Sequence, residues 1–528
     1  MQRRSGGRHL PAFPIAPLSR EDGYLHRELY QRIRNAIIGG AMPAGYRLPS
    51  TRVLSAQLGV ARNTVLVAYE QLHSEGYVES RRGSGHYVAE FVPDAFERLT
   101  ATRRRPEVVR GSPSAQVANR FAFVPESFRR AIPAVPFRAN LPALDVARLQ
   151  AWIRLYTKFL RQAGRSAQQP GHFGETDAIG DPLLRRAIAE YASLSRGVRC
   201  SPEQIVITAG AQHAMDLLLR VIGRYGEKAR IEDPCFPGAL AALRGAGLEP
   251  VPVPVDDEGI DVDRAIRVAP QARLAMVCPS KQFPLGHVMS LPRRLALIQW
   301  ARERRAWVIE DDYDSEYRFS GKTIPSLQGL DGGEFVVYVG TFSKVLFPGL
   351  RLGFIVAPPM LVDSIVAVRT LAGRHGNPLD QQVLARFILD GHLGRHVRRM
   401  RKLYETRMEA LLLSTRRWLA GAVAVEPAEA GLQTVGWLNS EFDDRSVSTH
   451  AAEAGIEVAH LSRYCIDTIR PPGLVFGFGA FDEREIDTGA RQLARVLERE
   501  RVSAAPATGQ VTAGTGAEPS AASVVFDS

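Results

Sequence analysis

Apolar positions follow different rhythms in successive parts of the chain. Leu25, Leu29, Ile33 and Ile37 recur every fourth residue and predict a helix with a single apolar stripe, closed by Gly39 and Gly40. Pro49 then imposes an extended approach to a second helix that Ser50 can cap and that runs through Leu58, after which Gly59-Val60 makes a tight turn. A third helix, residues 61–74, gathers Val65, Ala68, Tyr69 and Leu72 on one face and leaves Arg62, Asn63 and Thr64 free at its start. Two short β-rich pieces, Tyr77–Glu79 and His86–Val88, flank Arg81-Arg82-Gly83-Ser84-Gly85 and predict a hairpin with a glycine-permitted turn.

The rhythm is lost over residues 91–135, where Pro93, Arg103-Arg104-Arg105, Pro106, Gly111-Ser-Pro-Ser114, Pro125 and Pro133 read as a tether. From 136 to 500, short apolar runs (204–208, 273–278, 307–311, 335–340 and 354–357) alternate with helical stretches such as 183–194, 211–222 and 292–305. Such alternation predicts an α/β unit whose mostly parallel sheet is covered on both faces, with ligands at the carboxyl ends of the strands. Residues 501–528, rich in Ala, Gly, Ser, Thr and Pro, read as a disordered tail. The chain thus divides into a small N-terminal unit (24–90), a linker (91–135), a large unit (136–500) and a tail.

Charge sharpens that division. The sequence carries 67 Lys plus Arg against 56 Asp plus Glu, a net charge of +11, yet only six lysines: 158, 228, 281, 322, 344 and 402. Residues 1–110 hold 17 Arg, no Lys and ten acids, so +7 of the net charge sits in about a fifth of the chain. A polyanion partner and a solvated Arg-rich surface account for this equally well on charge alone. The four cysteines are isolated and show no metal-ligand spacing, so neither a disulfide framework nor a metal site is expected. No signal-like or membrane-length apolar run occurs, so a soluble cytoplasmic protein without membrane contact is expected.

Helix, turn, helix and basic hairpin together predict a winged helix-turn-helix, in which the third helix offers its first residues to base edges and the hairpin presents arginines to phosphates or the minor groove. Arg62 and Asn63 are the residue types that read guanine and adenine edges. A ligand-free three-helix bundle would not explain why polar residues gather at the helix start and hairpin tip. Tyr46-Arg-Leu-Pro-Ser-Thr-Arg52, Leu58-Gly-Val-Ala-Arg-Asn-Thr-Val65, Ala68-Tyr69 and Glu75-Gly-Tyr77 through Gly83-Ser-Gly85 closely resemble the GntR-type DNA-binding domain. That resemblance implies promoter DNA as partner, with Arg47, Ser50, Arg52, Arg62, Asn63, Thr64 and Gly85 as contacts, and the hairpin arginines Arg81 and Arg82 beside them. Ala61 departs from the serine usual at the start of the recognition helix.

In the large unit, three strand ends carry chemistry. Thr208-Ala-Gly210-Ala211-Gln212 turns into a helix and offers N–H groups to an anion. Glu310-Asp311-Asp-Tyr313-Asp314 places acids at a sheet end, and Gly340-Thr341-Phe-Ser343-Lys344 sets a lysine beside two hydroxyls, with Arg351 seven residues on. Lysine can lose its proton where arginine cannot, and a neighbouring cation favours the neutral amine that Schiff-base chemistry needs. An amine, a phosphate cradle and a carboxylate for a pyridinium nitrogen are the requirements of pyridoxal 5′-phosphate.

Ile231-Glu-Asp-Pro234, Phe236, Gly238, Pro279-Ser-Lys-Gln-Phe-Pro284, Gly286, Glu310–Glu316 and Gly340–Gly353 resemble the fold type I aminotransferases. Joined to the winged helix, they resemble the MocR/GabR subfamily of GntR regulators over residues 24–500. The resemblance implies that Lys344 forms the Schiff base, Asp311 binds the pyridine nitrogen and Tyr313 the phenolic oxygen. Thr341, Ser343, Arg351, Gly210 and Ala211 surround the phosphate, and Phe236 stacks on the ring. It also implies a head-to-tail homodimer and a small amine, amino-acid or cofactor-vitamer effector that displaces Lys344. Three departures stand out: Lys281 replaces a histidine, Phe283 replaces the asparagine of true aminotransferases, and Val475 stands where an arginine grips the substrate carboxylate, with Arg463 and Arg470 out of register. A regulator that senses an amine through Lys344 is therefore expected. The alternatives are a working aminotransferase with an accessory DNA-binding module and a cofactor-free regulator, the latter disfavoured by the presence of Asp311, Tyr313, Lys344 and Arg351.

Overall fold

The computed structural model describes residues 25–81, 83–90, 121–130, 133–144, 149–163, 174–319 and 324–504. The chain divides into two compact units, one within residues 1–120 and one within residues 121–528.

In the first unit, α1 (Leu25–Ile38) buries Leu29, Ile33 and Ile37, the predicted stripe. The helix α2 (Thr51–Leu58) is capped by Ser50, whose Oγ accepts from Val53 N at 3.3 Å, and it ends at Gly59 in the left-handed region. Recognition helix α3 (Arg62–Ser74) buries Val65, Ala68, Tyr69 and Leu72 against α1 and α2, and its N-cap Ala61 makes no side-chain bond. Strands β1 (Val78–Arg81) and β2 (Gly85–Val88) pair antiparallel as the hairpin. Helix periodicity, cap and turn residues agree here, so the local sequence is sufficient for the element order.

The second unit is built on an eight-stranded sheet of β3 (Ile205–Thr208), β4 (Lys228–Asp233), β5 (Glu249–Asp256), β6 (Gly259–Ile260), β7 (Leu274–Val277), β8 (Trp307–Asp312), β9 (Val336–Thr341) and β10 (Gly353–Val356). Their spatial order is β3-β10-β9-β8-β7-β4-β5-β6. Strands β5, β4, β7, β8 and β9 run parallel, while β10 is antiparallel to both β9 and β3. The central strands are buried along their length, and helices that include Pro182–Arg196, Ala211–Ile222 and Leu291–Arg304 cover the two faces. The 27-residue helix His392–Trp418 leads to a second, antiparallel sheet, β11 (Val423–Val425), β12 (Gln433–Leu438), β13 (Ala459–His460) and β14 (Gly473–Gly477), in the order β11-β12-β14-β13. One face of this small sheet packs Leu438, Leu474, Phe476 and Phe478 against the long helix and the last helix, Glu483–Ala504.

Part of the stretch read as a linker is folded with this unit. Residues 121–130 carry the short helix Glu126–Arg129, whose Phe128 ring lies 5.7 Å from that of Phe236. Residues 91–120 and the tail beyond residue 504 lie outside the described residues, and the last helix continues to Ala504, four residues past the boundary expected from sequence. No helix among the described residues is long and apolar enough to cross a membrane.

Candidate functional site

Two sets of functional side chains emerge, one in each unit. In the first unit, Arg62 and Asn63 are exposed at the start of α3, with Thr64 half-buried behind them, and Arg62 Nε donates to Thr51 Oγ1 at 3.2 Å. Arg47 is exposed and bridges to Tyr87 of the wing, and its guanidinium lies beside Gly85. Arg81 stacks 4.7 Å over the Tyr87 ring. These groups border a groove lined by Arg47, Ser50, Thr51, Gln57, Gly85 and His86. Arg52 is exposed on α2, Ser50 serves as the α2 cap, and Arg82 lies outside the described residues. Permanent charge and side-chain amides at one helix start and one wing suit a nucleic-acid surface.

In the second unit the sheet delivers the chemistry to the carboxyl ends of β3, β8 and β9. Gly210, at φ +93°, is the N-cap of Ala211–Ile222. A Cβ there would lie 3.6 Å from the Arg351 guanidinium, so the glycine turn, the free N–H groups at the helix start and Arg351 converge on one anion-sized place. Ser343 N donates to Thr341 Oγ1 at 3.2 Å, while Ser343 Oγ is buried and unpartnered among the described residues.

Asp311 is buried, and its Oδ2 accepts a 3.9 Å bond from Cys278 Sγ, leaving Oδ1 without a partner. Burial, with Asp312 and Asp314 nearby, raises its pKa to about 7, against the opposing Cys278 bond and the Lys344 charge. A cationic ring nitrogen would satisfy both the open lone pair and the charge. The Tyr313 hydroxyl is likewise buried and unpartnered, and Phe236 stands 5.6 Å from Phe283, which in turn meets Tyr313 and Tyr464.

Lys344 donates to the Asn140 carbonyl at 2.8 Å. Burial lowers its pKa to about 8, Asp314 opposes that shift, Arg351 and Arg138 add to it, and Asp311 opposes it. The amine is thereby brought toward its neutral form near physiological pH. The open hydrogen-bonding positions at Asp311, Tyr313 and Ser343, together with the Gly210–Arg351 cradle, fit pyridoxal phosphate.

Lys281 is not a second free amine. Its Nζ pairs with Asp314 Oδ2 at 3.0 Å, and both side chains are buried. Val475 is fully buried and packs with Val435, Ala459 and Leu461. Of the arginines considered as its substitutes, Arg470 donates to the Val255 carbonyl and Arg463 is exposed. Sequence reasoning missed Asn140, whose φ of +65° was its only local oddity, and the pairing of Lys281 with Asp314, 33 residues apart. Among the described residues, no cluster of three or more metal-ligating side chains occurs.

Comparison with known proteins matches residues 25–88 to the bacterial regulatory proteins of the gntR family and residues 147–462 to class I and II aminotransferases. The chain is 37% identical over 493 residues to the probable rhizopine catabolism regulatory protein MocR of Rhizobium meliloti, covering 91% of this chain and 97% of the relative. It is 33% identical over 474 residues to the pyridoxine biosynthesis regulator PdxR of Corynebacterium glutamicum, covering 90% and 96%. The crystal structure of LysN, the α-aminoadipate aminotransferase of Thermus thermophilus, superposes with a TM-score of 0.67 at 27% identity, covering 74% of this chain and all of that one. The chain therefore belongs to the MocR-type GntR transcriptional regulators, which join a winged-helix DNA-binding domain to an aminotransferase-like domain of fold type I.

Proposed function

We propose that this regulator binds pyridoxal 5′-phosphate at Lys344 and uses it to sense a small amine, changing its hold on promoter DNA when that amine arrives. The observation that carries the reading is the amine of Lys344, its pKa lowered to about 8, beside a buried Asp311 oxygen and a buried Tyr313 hydroxyl that have no partner among the described residues. When bound, the cofactor supplies an electrophilic carbon that condenses reversibly with a primary amine.

The chain's own groups prepare that event. The N–H groups of Gly210 and Ala211, with Thr341, Ser343 and Arg351, hold the phosphate. Asp311 holds the ring nitrogen, Tyr313 the phenolic oxygen, and Phe236 covers one face of the ring. Lys344 contributes a neutral nucleophile because burial disfavours its charged form. In the first unit, Arg62, Asn63 and Thr64 meet base edges while Arg47, Ser50, Arg52, Arg81, Arg82 and Gly85 line the phosphate path. The regulator works in the cytoplasm as a head-to-tail homodimer, so that two winged helices engage two half-sites. Sensing is favoured over aminotransferase turnover because Val475, buried among Val435, Ala459 and Leu461, supplies no cation to grip a substrate carboxylate.

The test pairs two measurements on the full chain. Lys344→Ala should lose the visible absorbance of the bound cofactor, and the wild type should retain DNA from its own upstream region at moderate salt. An unaltered band in Lys344→Ala, or no retention of that DNA, would refute the corresponding half of the proposal.

A further inference from the structure

One wall beside Lys344 carries polar groups that the cofactor does not account for. Asn140, whose carbonyl receives the Lys344 bond, has a buried side-chain Oδ1 with no partner among the described residues. Gly431, just ahead of β12, would place a Cβ against Lys281 Nζ and Asp314 Oδ2, so the entry to the strand abuts that ion pair. Side chains alternate along a strand. Leu432 enters the core shared with the long helix, whereas Gln433 and Val435 pair in register with Gly477 and Val475, and a Cβ at Gly477 would meet the Arg138 carbonyl and Ala139 Cα, so this face lies against the segment that leads to Asn140.

Gln433 is 1% exposed, and neither its Oε1 nor its Nε2 has a partner among the described residues. The second oxygen of Asp314, Oδ1, is buried and open in the same way. Asp314 is also the charge that acts most strongly on Lys344. Next to Gln433 the wall turns apolar: Val475 pairs in register with Val435 and Ala459 and packs with Ala139, Leu285 and Tyr464.

Among the described residues, no guanidinium on this wall stands ready for a carboxylate. Arg138 lies 3.8 Å from Glu457 and donates to the Pro133 carbonyl at 2.9 Å, and Arg470 is turned to the Val255 carbonyl. A carboxylate placed here would meet the Lys281–Asp314 pair, whose cation is already taken, and an apolar surface, so its charge would stay unpaired. A hydroxyl or amide would satisfy Gln433, Asn140 and Asp314, whose open positions include acceptors and one amide donor. Buried polar groups left unpaired discriminate strongly against ligands that cannot pair them.

We infer that this wall selects the effector, and that the effector is a primary amine carrying neutral hydroxyl or amide groups and no carboxylate. The inference rests on the reading that Lys344 and bound pyridoxal phosphate form the sensing site. This arrangement narrows the amine from any amino acid or amine to a neutral polar one.

Three matched probes test it on the full-length protein loaded with pyridoxal phosphate: 2-amino-1,3-propanediol, serine, in which a carboxylate replaces one hydroxymethyl group, and isopropylamine, which lacks both hydroxyls. Titration is followed by the change in cofactor absorbance and by the shift in melting temperature. The diol should act at about tenfold lower concentration than either of the others, the size expected when buried polar groups are paired rather than left open. Gln433→Leu should erase its advantage over isopropylamine. Serine acting as well as the diol, or none of the three acting on a protein whose Lys344-dependent band is present, overturns the inference. Absence of that band in the wild type sinks the underlying reading instead, so the two failures are separable.

Discussion

The two units handle charge in opposite ways. In the winged helix the functional groups are exposed guanidiniums and amides, and the residues of the first 110 positions include 17 arginines and no lysine. At the ends of β8 and β9 the functional groups are buried acids and one lysine, and burial shifts Asp311 up to about 7 and Lys344 down to about 8. A polyanion is best met by charge that never titrates and stays in water. The proposed amine sensing calls for a group that can give up its proton, which burial away from water favours. One chain separates these demands by placing them in different compact units.

The largest expected break in this contrast is Lys344→Ala. Visible cofactor absorbance should vanish in that variant, while retention of upstream DNA persists in a gel-shift assay. If DNA retention falls as well, the units are not chemically independent.

On the DNA side, Arg62→Ala should cost about 1–3 kcal/mol against a specific site and relax sequence preference there. Arg47→Ala should weaken all sequences alike and reduce the salt slope by about one, as expected for a phosphate contact. Competition binding at several salt concentrations separates the two, and identical behaviour of both variants would remove the division into base readers and phosphate clamps.

The pH dependence sharpens the buried side. Lys344 has a lowered pKa of about 8, so its neutral fraction, and with it the rate at which added pyridoxal phosphate develops its absorbance, should climb through a midpoint near pH 8 and level about a unit above it. Asp314 raises that pKa, so Asp314→Asn should move the midpoint to lower pH. A midpoint near the ordinary lysine value would mean that burial does not tune the amine.

The smallest effect concerns α3. Ala61 makes no side-chain cap bond, so Ala61→Ser should add about 0.5–1 kcal/mol to the stability of the winged helix, read by thermal denaturation, without altering base preference.

Legibility in the sequence also differed between the units. Every element of the winged helix followed from spacing, caps and turn residues, because its core is made by helices close in sequence. In the second unit the strands at residues 205–208, 274–277, 307–312, 336–341 and 353–356 were legible as apolar runs. Strand β5 was not: its Pro250, Pro252 and Pro254 are residues that strands ordinarily exclude. Placed at alternate positions, their missing donors fall on one side of the strand, and the other side is free to pair with β4. Among the candidate site residues, Asp311, Lys344 and Arg351 stood out by type and spacing, and Tyr313 through the resemblance to fold type I aminotransferases. Asn140, Gln433 and the partner of Lys281 were not, since each matters only through neighbours far away in the chain.

The sequence by itself determined the family and the order of units and singled out Lys344 as the candidate amine, because these depend on local patterns and on which residue types are present. Only the tertiary structure decided what surrounds the amine. It joined Lys281 to Asp314, brought Asn140 to Lys344 and left Gln433 buried and open. Burial and electrostatic contact depend on distances in space, and neither spacing nor composition encodes those for residues up to 204 positions apart.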